Sequence, residues 1–185
     1  MTKYIFVVML AMLGITAAQA QRMMPGQKGL EINAGLLSKE VSDNYYLNLT
    51  LTTYTKNGGY WLWGAEYNHQ FADYRDLHIP LETYTGEIGY SLQLLGDARK
   101  TVTLNAGLTA VAGYEAINRS EATLYDGSKI LDKDHFIYGA GGRLSFETYL
   151  SDRLVLLLQG RTKVVWGTDL KQFRPSAGVG LRFNF

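Results

Sequence analysis

Two sets of residues in this chain are of the types that do chemistry. One set is charged: Glu31, Glu66, Glu87 and Glu147, with Arg143, Arg161, Lys163, Arg174 and Arg182. Each stands in an alternating run on the side opposite the apolar residues, so the spacing gathers acids and bases onto one face of a sheet. Around a water-filled channel such a set selects ions. Packed into a narrow interior it pairs and plugs, because an unpaired buried charge is very costly. The other set is His69, Asp73, Asp76 and His78, residue types that hold a metal ion or exchange protons. No helical pattern fixes their spacing, and no Ser or Glu is placed beside them as nucleophile or base. A solvated polar link explains them more simply. His135, at the start of an alternating run, reads as an interfacial residue. Asn48-Leu49-Thr50 and Asn118-Arg119-Ser120 match the glycosylation sequon, a pattern too short to weigh. Gly139-Ala140-Gly141-Gly142 falls in mid-strand, where glycine permits close packing, and is no phosphate loop. No metal and no cofactor are expected.

The elements that must position the charged set are long strands. The clearest spans 173–185, where Phe173, Pro175, Ala177, Val179, Leu181, Phe183 and Phe185 alternate with Arg174, Ser176, Gly178, Gly180, Arg182 and Asn184. The same period of two marks 29–37, 45–54, 60–70, 83–95, 101–114, 135–150 and 154–166. Runs of this length cross a bilayer at the usual barrel tilt. Tight turns at 56–59, 96–100 and 151–153 alternate with a polar link at 38–44 and longer ones at 71–80 and 115–134. Strand parity, strand length and loop asymmetry predict an eight-stranded antiparallel transmembrane β-barrel of the outer membrane, an up-and-down meander over 29–185, with its short turns in the periplasm. A soluble sandwich or lipocalin-like barrel would keep charges outside. Here the polar face is mostly Gly, Ser, Thr and Asn, which suits a lumen better than a solvated exterior. Eight strands leave an interior that side chains fill, whereas aqueous channels need about sixteen. The plugged reading of the charged set is therefore favoured over the pore.

Composition and termini add limits. A net charge of +1 offers no basic excess, so direct nucleic-acid binding is not expected. Cys is absent, which excludes disulfides and thiolate chemistry. Residues 1–20 read as a signal peptide: Lys3 gives the charged start, 4–15 the apolar core and Ala18-Gln19-Ala20 the cleavage site. Residues 21–28 read as an unpaired periplasmic tail. Phe183 and Phe185 are expected to serve as the assembly signal for the barrel insertion machinery, and outer-membrane lipid as the surrounding partner. In the link 115–134, Asp126, Lys129, Asp132 and Lys133 are expected to face outward as contact residues.

Several segments carry a resemblance. RMMPGQKGLEINAGLL, YRDLHIPLETYTGEIGY, LLGDARK, LTAVAGYEAINR, LYDGSKIL, IYGAGGRLSFETYLSDR and LQGRTKVVWGTDLKQFRPSAGVGLRFNF resemble the TraO family, conjugal transfer proteins encoded by conjugative transposons of Bacteroides and its relatives. The resemblance covers nearly all of 21–185 and brings no catalytic signature. It implies a component of the mating apparatus in the cell outer membrane, with other conjugal transfer proteins as partners. The expectation is a non-enzymatic barrel serving that apparatus. The alternatives are a surface adhesion barrel acting through its outer loops and a small barrel enzyme acting on lipid.

Overall fold

The computed structural model describes residues 23–37, 44–74, 77–97, 101–117, 135–168 and 171–185, with the backbone alone for 72–74, 77, 78 and 117. Eight strands occupy most of them: β1 Lys28–Leu37, β2 Tyr45–Tyr54, β3 Tyr60–Tyr74, β4 Leu77–Gly96, β5 Val102–Ile117, β6 His135–Tyr149, β7 Leu154–Trp166 and β8 Phe173–Asn184. Each pairs antiparallel with its neighbours in chain order, and β8 returns to β1 through Gly29↔Asn184 to Leu37↔Ser176, closing the barrel. Closure leaves no strand edge along the seam, which removes the edge-pairing hazard of an open sheet.

The alternation sorts side chains by chemistry, and it does so inside out. Leu108 is 77% exposed on the outer wall, while Arg182 and Glu31 are 0% exposed within. Water would not tolerate that arrangement; hydrocarbon outside the wall requires it. Trp61, Trp63 and Tyr90 face outward near the short-turn end, and Tyr45, Tyr67, Tyr84 and Tyr138 near the other. Between these two aromatic levels the outer face is aliphatic.

The turn after β2 forms as its residues predict. Gly58 has φ +77°, and Thr55 N–H donates to Gly59 O at 2.8 Å. The link after β3 does not. Residues 71–80, expected as a loop, continue the ladder through Phe71↔Pro80, Ala72↔Ile79, Asp73↔His78 and Tyr74↔Leu77. Pro80 is tolerated for a local reason. Phe71 N–H is taken by Asn44 Oδ1 at 2.9 Å on the β2 side, so the 71/80 pair is a non-hydrogen-bonded one. The donor that Pro80 lacks would point instead to the β5 side, beyond the last β4–β5 pair, Leu81↔Ile117. As a result β4 has 20 residues against 10 in β1 and β2, or about 66 Å of strand against about 33 Å. The wall is tallest at β3–β5.

The lead before β1 is also paired where it is described. Gly26 N–H donates to Tyr54 O and Tyr54 N–H to Gln27 O, each at 2.9 Å. Met23 adopts φ +61° and turns its side chain into a cluster with Tyr54, Tyr60, Leu62, Tyr149, Val155 and Leu157. These residues cap the short-turn end of the lumen from inside.

Candidate functional site

Every inward charge named from the sequence stands on a strand position of the buried parity, and the closed sheet aims them all at one axis. They fall into levels. Nearest the short-turn end, Arg182 of β8 bridges β1 and β6. Its Nε and Nη2 donate to Glu31 Oε2 at 3.0 and 2.7 Å, and its Nη1 donates to Glu147 Oε2 at 2.8 Å. Its guanidinium lies 4.3 Å from the Tyr60 ring centroid, and Nη1 also reaches Tyr54 Oη at 2.8 Å. Tyr60 Oη donates to Glu147 Oε1 at 2.7 Å, and Tyr54 and Tyr149 join hydroxyls at 3.0 Å. The other Glu31 oxygen accepts from Arg143 Nη2 and Asn33 Nδ2 at 2.6 Å each and from Gln159 Nε2 at 2.8 Å. Buried ions need both a counter-charge and filled hydrogen-bonding capacity, and Glu31 has both.

One level up, β7 faces β3 and β4. Arg161 pairs with Glu66 and Glu87, the latter at 2.7 Å. Lys163 Nζ donates to Glu66 Oε1 at 2.6 Å and to Thr85 Oγ1 at 3.2 Å, and pairs with Glu87 as well. The space among Glu87, Thr109, Arg143, Arg161 and Lys163 leaves no room for a water molecule. Tyr46 closes this level from the β1 side, under the Arg161 guanidinium at 5.2 Å.

Arg174 belongs to neither level. It sits near the opposite rim, its Nη2 2.7 Å from Glu115 Oε2 in an ion pair. Thr168 Oγ1 donates to Glu115 Oε1 at 2.6 Å. The sequence pattern puts Glu115 at the start of a link. It is an inward residue of β5, and the parity of Gly107, Thr109 and Gly113 continued two residues further would have found it. The tyrosines of the lower level gave no comparable signal, since Tyr suits either face of a barrel wall.

Of the histidine–aspartate set, His69 stands apart from the paired positions 73 and 78. His69 pairs in register with Glu82, and Asp73 with His78 four residues further along, about 13 Å away on a strand. Asp76 lies outside the described residues. His69 points outward, between the rings of Tyr45 at 5.4 Å and Phe71 at 4.9 Å. Among the described residues no three His, Asp or Glu side chains gather around a point that could hold a metal ion. Asp126, Lys129, Asp132 and Lys133 also lie outside the described residues.

A closed eight-stranded barrel with paired charges inside and an apolar belt outside is a β-barrel of the outer-membrane class. Its backbone is similar to that of Neisserial surface protein A, with a TM-score of 0.60 and 11% identity over 86% of this chain and 95% of that one. It is similar also to Ail, the attachment invasion locus protein of Yersinia pestis, in complex with the heparin analogue sucrose octasulfate. There the TM-score is 0.57 and the identity 13%, over 88% and 100% of the two chains. At these identities the likeness is one of fold. No curated protein matches the sequence. Residues 24–185 match the family of conjugative transposon protein TraO, and the chain belongs to that family.

Proposed function

We propose that this protein is a non-conducting, non-enzymatic barrel that serves the conjugative transfer apparatus as a scaffold in the outer membrane. The observation that carries the reading is the lumen. Ion pairs cross it at successive levels, so neither DNA nor solute has a path through it, and the useful surfaces are the outer wall and the rims. Residues 1–20 act as the export signal, the link 118–134 lies on the outer side of the membrane, and other transfer proteins are the partners. Crosslinking in intact donor cells, followed by pull-down and identification of bound chains, tests this. Transfer proteins should be captured, and DNA transfer should fall when the gene is deleted. Undiminished transfer with no such partners captured would sink the proposal.

The second reading is adhesion to the recipient cell. The likeness in fold to an attachment protein, and the charged segment holding Asp126, Lys129, Asp132 and Lys133, favour it. Deleting 118–134 separates the two. A scaffold keeps its crosslinks and its transfer activity, whereas an adhesin keeps its crosslinks and loses mating contact.

A further inference from the structure

The described acids of the lumen all face a Lys or Arg; Glu82, on the outer wall, does not. It stands on the outward parity of β4, with its side chain 21% exposed. Its neighbours are aromatic: Tyr84 Oη donates to Glu82 Oε2 at 3.3 Å, and His69 Nδ1 lies 4.0 Å from Oε1, beyond hydrogen-bond reach. Tyr67 Oη meets the same His69 nitrogen at 3.4 Å, and the Tyr67 and Tyr84 rings pack at 5.2 Å. Among the described strand residues the outward face carries one Lys or Arg, Lys28, and it lies at the opposite end of the barrel. An outward carboxylate in the aromatic belt thus has no Lys or Arg partner among the described residues, and the His69 imidazole is the nearest basic group.

Directly toward the membrane centre from this cluster the wall is indented. A groove of about 520 Å³ is lined by Leu47, Leu49, Ala65, Tyr67, Tyr84 and Gly86, a volume within the range of small-ligand sites. Its floor is Ala65 and Gly86, which are paired in register. The fold does not demand glycine there. A Cβ on Gly86 would meet only Ala112 O, at 3.8 Å, and the residue has no positive φ. Polar cluster and apolar groove share Tyr67 and Tyr84, so one molecule with a charged head and an aliphatic tail would touch both.

We propose that the outer face of β2–β4 binds one phospholipid with a primary-amine headgroup, its ammonium on Glu82 and an acyl chain in the groove over Ala65 and Gly86. Charge selects the head. An ammonium supplies a fixed cation and short charge-assisted donors in addition to the Tyr84 hydroxyl, and the belt's hydroxyls and imidazole are available to the phosphate beside it. An anionic headgroup would instead meet a carboxylate with no described Lys or Arg at hand. A second copy of this chain offers Glu82 no outward Lys or Arg at that level among its described strands.

Native mass spectrometry of the folded barrel in neutral detergent, with defined lipids added one at a time, tests this. Phosphatidylethanolamine should give a single saturating adduct, and phosphatidylglycerol should bind roughly tenfold more weakly, the scale of one charge-assisted hydrogen bond. Phosphatidylcholine, cationic but without N–H donors, should fall between. Glu82→Gln should erase the preference among headgroups, and Gly86→Leu should weaken binding of all of them. Heat-modifiable mobility of both variants establishes that the barrel is folded. Equal binding of the three lipids by the unaltered protein, or a preference that survives Glu82→Gln, overturns the proposal. A dimer that Gly86→Leu dissociates would overturn it in favour of a second copy in the groove.

Discussion

Arg182 donates to two buried carboxylates and stacks on a tyrosine, all within a space closed to water. Removing it leaves Glu147 with no base and Glu31 with Arg143 alone. Truncating one partner of a buried pair typically costs about 3–5 kcal/mol, because the surviving charge remains desolvated. Arg182→Met should therefore lower unfolding stability in lipid vesicles by about that amount. Adding Glu147→Gln should return part of the loss, since it removes the stranded charge while Tyr60 keeps an oxygen to donate to. Urea titration of the single and double variants checks this. A double variant less stable than Arg182→Met would mean that Glu147 is held by something other than Arg182. Seen from the sequence, Arg182 and Glu31 were recognisable as inward residues by parity alone. Their partners were not, because pairing across a barrel depends on which strands face each other at a given height.

At the scale of the strand, the weak point is the seam where β1 meets β8. Tyr46 lies across two glycines there: a Cβ on Gly35 would stand 2.6 Å from Tyr46 Cε1 and closer still to Ala177 O, and one on Gly178 would collide with Tyr46 Oη. Gly35→Ala must displace either a ring or the neighbouring backbone, and overpacking of that kind costs about 1–3 kcal/mol. Gly160, facing outward with nothing within 4 Å, is the control; its change to Ala should stay within about 0.5 kcal/mol. Comparable losses in the two variants would show that strand flexibility, not Tyr46, sets the requirement. The final rung of the same seam is Phe185, whose N–H donates to Lys28 O at 2.8 Å and whose carbonyl accepts from Lys28 N–H at 3.2 Å. Deleting Phe185 should cut the yield of heat-modifiable, membrane-inserted barrel; an unchanged yield would show that assembly does not depend on it. Strand existence and facing were readable because period two is a local signal. Strand length was not. Asp73, Arg75 and Asp76 have loop composition, yet the ladder continues through 71–74 and 77–80, since a hairpin in water constrains its backbone and not its polarity. The lead before β1 differs from the unpaired tail expected of it: Met23 and Met24 show no period, and only the finished barrel end gives Met23 a place to go.

For the molecule as a whole, what matters is that the blocks in the lumen act in series. A current must pass the cap formed by Met23, Tyr54, Tyr60 and Tyr149, then the Arg182–Glu31–Glu147 level, then the Arg161–Lys163–Glu66–Glu87 level. Any one of them suffices to stop it. The unaltered protein in planar bilayers should therefore show no stable open channel. The sharper expectation concerns variants. Replacing Arg161 and Lys163 with Ser, together with Glu66 and Glu87 with Gln, removes the charges of one level in a balanced way and opens space around Thr85 and Thr109. Ions should still not pass, because the tyrosine cap and Arg182 stand below. The complementary variant, with Arg182→Ser, Glu147→Gln and Glu31→Gln, should also remain shut, held by the level above it. Conductance should appear only when both levels and the cap are cleared in one chain. That pattern distinguishes a filled barrel from a gated pore, in which a single constriction controls the current and its removal alone would open the path. A steady large conductance from either single-level variant would show that the other level is mobile in the membrane, and the scaffold reading would then give way to a regulated channel.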